Sequence, residues 1–204
     1  MSPSPINYAL AFMVAVIIAS FATAKSGPLL SVADSIPIFV LAAQVCLIAL
    51  IIAILLKGRS EFLDFAISSV AKDSRKLAFL IALTAMCGSL FYQFGMQYAP
   101  CELCWFQRIF MYPLSFIIGV SIIRDRKDIF EFVIPLCSIG SVIAAYQYSM
   151  QLFPIQSSVC SASAVSCSTV QTTALGYITI PLMSLTAFLC IAALLYLDKR
   201  FSPR

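Results

Sequence analysis

Four cysteines lie where sulfur chemistry can happen. Cys101 and Cys104 form a Cys-x-x-Cys pair within Pro100-Cys101-Glu102-Leu103-Cys104-Trp105-Phe106-Gln107-Arg108, and Cys160 and Cys167 sit in a second stretch, 151–175, that carries no charge at all. Disulfides are exchanged by attack of a thiolate on a sulfur, so two pairs that can meet can pass a disulfide between them. A helix beginning near Trp105 would place Cys104 at its N-terminus, where the helix dipole favours a thiolate. Arg108 stands four residues beyond Cys104 and so faces the same side of that helix. The chain has no histidine. That removes the commonest metal ligand and the usual general base together.

The elements that position these residues are membrane spans. Apolar residues make up 61% of the 204 residues and charged residues 11%, about half the usual share of charge. A soluble fold has no means of covering so much apolar surface. Segments 6–24, 36–56, 77–98, 105–123, 129–150 and 176–197 each approach the length that crosses a bilayer as a helix. The first ends in Ala22-Thr23-Ala24, which has the form of a signal-peptidase site, but no Lys or Arg precedes it, which favours a retained helix. Segment 57–76 mixes Phe62, Phe65, Ile67 and Val70 with charges. It reads as an amphipathic surface helix with Ser60 at its N-cap, or as a plain polar loop. Pro100 marks the end of the third span, while Pro113 and Pro135 fall inside the fourth and fifth.

Eleven of the thirteen basic residues fall in three clusters, at 57–76, 124–127 and 199–204. Alternation of the spans puts all three on one side, and the excess of Lys and Arg makes that side cytoplasmic. The Cys101/Cys104 turn and the 151–175 loop then share the opposite, extracytoplasmic face, where disulfides persist. Cys160 follows the fifth span by about ten residues; at about 3.3 Å per extended residue it can reach the first pair. The charge pattern also excludes a nucleic-acid partner, since no basic stripe interleaves with aromatics.

Not every candidate residue demands a function. Cys46, Cys87, Cys137 and Cys190 lie within spans and read as small buried hydrophobes. Trp105, Phe106 and Tyr98 are explained by an interfacial aromatic belt, or more sharply by a flat slot for a ring-shaped ligand beside Cys104. Arg108 is costly at membrane depth and needs a partner: the Cys104 thiolate, a bound polar head group, or both. Snorkelling to lipid phosphate is the bland alternative.

These residues resemble the membrane thiol oxidases of bacterial disulfide formation, DsbB and its relative BdbC. The resemblance runs over 77–197 and rests on the stretch from Pro100 to Arg108, on Cys160 and Cys167, and on Gly176-Tyr177-Ile178-Thr179-Ile180-Pro181. It implies a four-helix transmembrane bundle in the cytoplasmic (inner) membrane, all-α, here preceded by two extra N-terminal transmembrane helices. The expected organisation is 1–56 for those two helices, 57–76 for a linker, 77–197 for the oxidase domain and 198–204 for a basic tail. It further implies that Cys160/Cys167 take electrons from a DsbA-like thiol oxidase and pass them through Cys101/Cys104 to a membrane quinone, ubiquinone or menaquinone. Cys104, Arg108 and Trp105 match the quinone side, and Cys160 matches the residue that forms the mixed disulfide with the partner. A different class of function, a metal-binding or metal-transport protein, would use the four cysteines as zinc ligands. Against it, the spans hold no histidine and, apart from Glu131 at one end of the fifth, no acidic residue to pass an ion along.

Overall fold

The computed structural model describes residues 29–56, 61–126, 128–153 and 166–201. The first expected span, 6–24, together with Ser60 and Cys160, lies outside the described residues. Five helices follow one another: α1 (Leu29–Leu55), α2 (Glu61–Leu90), α3 (Glu102–Ile123), α4 (Phe130–Leu152) and α5 (Ile180–Phe201), with a π-helical turn, Phe91–Gly95, continuing α2. All five are long and apolar enough to cross a membrane. The protein is an all-α, multi-pass membrane protein with an additional N-terminal helix.

Helix α5 is central. It packs against α2, α4 and α1, while α3 packs between α2 and α4. The main core joins Ala78 and Ala82 of α2, Leu114 and Ile118 of α3, Val133 of α4, and Phe188 and Ile191 of α5. Small residues permit close approach where lipid offers no competing hydrophobic gain. Gly140 of α4 is the tightest instance, because a Cβ there would run into the Phe188 ring. Helix α1 is fastened to the others by polar contacts. Gln44 donates from Nε2 to Thr186 Oγ1 at 3.2 Å and accepts from the Tyr177 hydroxyl at 3.0 Å.

Helix α1 begins at Leu29 rather than 36 and α3 at Glu102 rather than 105, and three further boundaries differ from the sequence reading. Residues 61–76 are not a separate surface helix; they are the first turns of a 30-residue helix that runs to Leu90. Ile67, Ala71, Ser74, Ala78 and Ala82 keep one buried face across the expected break, and the charges there find partners. Arg75 meets Asp198 at 3.4 Å and Asp125 at 3.3 Å, and Lys76 meets Asp73 at 2.9 Å. At the other end, α2 stops before Pro100. The π turn closes with Met96 N–H bonded to Phe91 O at 3.1 Å, and Gln97 takes φ 57°, a left-handed residue of the kind that ends helices. The last helix starts at Ile180 rather than 176, because Gly176 at φ +79° turns the chain back and pairs Ala174 with Ile178. Pro181 then takes an early helical position, where its missing N–H costs nothing.

Replacing Gly140 by Val should force the Phe188 ring from its site and lower stability by about 1–3 kcal/mol. Thermal unfolding of the purified variant in detergent checks this; an unchanged midpoint would mean that α4 and α5 do not pack this closely.

Candidate active site

The Cys-x-x-Cys pair is placed by the start of α3. Cys101 is the N-cap residue, with extended backbone (φ −77°, ψ 173°), and its carbonyl accepts the first helical bond from Trp105 N–H at 3.2 Å. Glu102 stands in the first turn, where a carboxylate suits the positive end of the dipole. Cys104 therefore sits within the first turn, and the helix begins three residues earlier than 105. Both sulfurs turn inward: Cys101 is 3% exposed, and the two Sγ atoms are 2.9 Å apart, beyond the roughly 2.05 Å of a disulfide. Both are free thiols.

The second pair is represented by Cys167. It is disulfide-bonded, and Cys46, Cys87, Cys101, Cys104, Cys137 and Cys190 are free. Cys167 is fully buried and packs in one cluster with Cys101, Leu103 and Met150, against which Cys104 also lies. The segment around it is tied down from both sides. Gln171 Nε2 donates to Ala99 O at 2.6 Å, beside the cysteine turn, and Gln151 of α4 donates to Thr169 O at 3.4 Å. A small cavity lies against Cys101 and Cys104, lined also by Gln147, Ser166, Thr169 and Pro181. Cys101, Cys104 and Cys167 thus meet at one end of the bundle. A bonded sulfur at 167 is not a thiolate donor for a metal.

Arg108 is held from another direction. Its Nε donates to Ser89 Oγ at 2.9 Å, its Nη2 to Ser89 O at 3.3 Å, and its Nη1 to Gln93 Oε1. Tyr112 adds a bond to Ser89 Oγ at 3.3 Å. The guanidinium carbon lies 5.1 Å from the centre of the Trp105 ring, a cation–π distance. These partners are neutral, so the guanidinium keeps its charge for a ligand. Trp105 and Phe106 are 51% and 46% exposed on the outer face, whereas Tyr98 stacks on Tyr92 with ring centres 5.9 Å apart.

Sequence reasoning passed over four residues. Ser89 and Gln93 orient Arg108, and Gln107 and Gln147 stand behind the sulfurs. Gln147 Nε2 lies 3.1 Å from Cys101 Sγ and 3.4 Å from Cys104 Sγ, and its Oε1 accepts from Gln107 Nε2 at 2.6 Å. The available signal was cost: two amides in apolar spans need partners.

The comparisons with known proteins bear on this arrangement. The sequence model described as Disulfide bond formation protein DsbB matches residues 72–197. The chain belongs to the DsbB family. The match takes in most of α2 and α5 and all of α3 and α4, and leaves α1 outside. Among relatives of this DsbB-family chain, the "Probable disulfide formation protein" of Oceanobacillus iheyensis is 41% identical over 144 residues, covering 66% of this chain and 97% of that protein. The "Probable disulfide formation protein C 2" of Bacillus cereus is 38% identical over 124 residues, covering 60% and 88% respectively. The "Disulfide bond formation protein C" of Bacillus subtilis is also 38% identical over 124 residues, covering 60% and 89%. No solved structure matches the chain significantly.

The two cysteines of the turn should differ in reactivity. The hydrogen bond to the Cys104 sulfur, followed by burial, pushes the Cys101 thiol well above its ordinary range. A raised value leaves Cys101 protonated at neutral pH and releases its thiolate only under strongly alkaline conditions. Limited alkylation of the reduced protein at pH 7, read by peptide mass spectrometry, should modify Cys104 several-fold faster than Cys101. Equal rates would contradict the asymmetry.

Proposed function

We propose that this protein is a membrane disulfide oxidase: it reoxidises a DsbA-like thiol oxidase and delivers the electrons to a membrane quinone. The observation that carries the reading is the shared cluster of Cys101, Cys104 and the disulfide-bonded Cys167. A relay needs its sulfur pairs close together, and the burial of Cys167 in one cluster with Cys101 supports that. The printed names of the relatives, all disulfide formation proteins, agree with it.

The relay then runs in two exchanges. Cys160 and Cys167 form the disulfide that meets the reduced partner. A partner thiolate attacks Cys160, and the partner's second thiolate displaces it, so the partner leaves oxidised and Cys160/Cys167 are left as a dithiol. That dithiol reduces the Cys101–Cys104 disulfide by the same chemistry, two electrons and two protons moving inward each time. The three basic clusters orient the chain with these cysteines on the extracytoplasmic face of the cytoplasmic membrane.

The residues beside Cys104 fit a quinone. Arg108 is a fixed, always-charged donor suited to a carbonyl oxygen, and Trp105 presents a flat, half-exposed ring beside it. When bound, a quinone supplies a two-electron, two-proton acceptor that is soluble in lipid, which accounts for housing this chemistry in a membrane helix bundle. Ser89 and Gln93 hold the guanidinium in place, and the Cys101 thiol, buried and protonated, leaves Cys104 as the reacting sulfur.

Two variants test the assignment in purified protein supplied with reduced partner and a short-chain quinone. Cys104→Ser should abolish quinone reduction, and retained turnover would refute the relay. Arg108→His should raise the quinone KM by about tenfold or more, the scale of hydrogen bonds to a charged group, and leave the KM for the partner within about twofold. Equal increases in both would remove Arg108 from the quinone side.

A further inference from the structure

The amide behind the sulfurs has no role in the relay just described, yet it is among the most deeply buried polar groups of the protein. Gln147 is 2% exposed and Gln107 5%, and they sit on different helices, α4 and α3. Burying a primary amide in an apolar setting costs several kcal/mol unless its donors and acceptor are matched. Here the matching has a direction. A glutamine side chain offers two N–H donors at one end and a carbonyl acceptor at the other. Gln107 Nε2 occupies the carbonyl end of Gln147 at 2.6 Å. The donor end is turned to the cysteines, 3.1 Å from Cys101 Sγ and 3.4 Å from Cys104 Sγ, while Oε1 lies farther off, accepting from the Cys104 thiol at 3.9 Å. Rotating the Gln147 amide alone would set its NH2 against the NH2 of Gln107 and its carbonyl nearer the sulfurs. Gln107 thus fixes which end faces them.

We propose that Gln147 is a positioning residue for the Cys101/Cys104 pair: a neutral donor, locked in one orientation by Gln107, that stabilises the thiolate form of the reduced pair. The inference rests on Cys101/Cys104 being the redox pair of the proposed relay and adds a group that sets its poise. Charge explains why the group is neutral. The pair alternates between an uncharged disulfide and a form carrying a thiolate. A buried cation would be compensated in one state and stranded in the other, at a cost of several kcal/mol. An amide donates to the anion and tolerates the disulfide. Arg108, the cation nearest in sequence, is hydrogen-bonded to Ser89 and Gln93 and acts on the Cys104 sulfur only through space.

The test uses neither quinone nor partner, so its failure is separable from failure of the relay. In full-length protein carrying Cys160→Ala and Cys167→Ala, Cys101/Cys104 is equilibrated in detergent with glutathione buffers, and its dithiol fraction is read by alkylation and mass. A pair that cannot be cycled between dithiol and disulfide in this background overturns the relay itself. With a pair that cycles, Gln147→Leu should shift the equilibrium about tenfold toward the disulfide, a potential about 30 mV lower. The ultraviolet thiolate band of the reduced protein at pH 7 should fall with it. Gln107→Leu, which touches neither sulfur, should shift the equilibrium about threefold in the same direction. The double variant should match Gln147→Leu alone, because the two act as one unit. A change below twofold in Gln147→Leu, a shift toward the dithiol, or strict additivity of the two variants would overturn the proposal. Should Gln147→Leu fail to fold, Gln107→Leu decides alone: its threefold shift supports the proposal, and an unchanged potential defeats it.

Discussion

A helix bundle in a bilayer has almost no water to satisfy its polar groups, so each must find a partner inside the protein. Much of this structure answers to that constraint. Among the described residues, many of the polar side chains that bridge helices gather at three places. Arg75, Asp125, Asp198 and Ser74 knit the basic end of the bundle. Gln44, Thr186 and Tyr177 attach α1. Ser89, Gln93, Arg108, Gln107 and Gln147 surround the start of α3. The last group is the costly one, since it includes a charge and three amides within or between spans. Their common neighbour is the cysteine turn, and that convergence distinguishes the turn from an ordinary loop between helices.

The same constraint explains how much could be read from the chain alone. Long apolar runs specify spans almost regardless of context, so three of the five described helices, α3, α4 and α5, fall where hydropathy places them to within a few residues, and α1 does so at its C-terminal end. The turn at Cys101 was legible because a Cys-x-x-Cys between two spans, followed by an arginine, combines rare features. What escaped was set by contacts between helices. The charged stretch 72–76 reads as an interruption in one dimension, yet Asp198 from the far end of the chain accepts from Arg75 and keeps α2 continuous. Gln147 reads as one polar residue in an apolar run. Only the packing of α4 against α3 shows that its amide faces the sulfurs. The partners of Arg108 were hidden similarly, because a π-helical turn places Gln93 and no local pattern announces such a turn.

The two cysteine pairs are held by different means. Cys101 and Cys104 are fixed by a helix start and a buried amide. Cys167 is held by packing on Leu103 and Met150 and by hydrogen bonds from Gln151 and Gln171 to the backbone around it. The first kind of support is hydrogen bonding within and behind a helix start. The second is burial of the Cys167 side chain beneath a backbone tied by two exposed hydrogen bonds, each worth about 1 kcal/mol.

The placement of α1 has a consequence for which faces meet lipid. Among the described helices it lies along α5 and α2, so it shields that flank from lipid. The seam between α2 and α3, bridged by Arg108, is bordered by Trp105, Phe106, Ile109 and Phe116, all on the outer surface. Among the described residues, the added helix thus covers part of α5 and α2 and leaves this largely aromatic face of α3 uncovered.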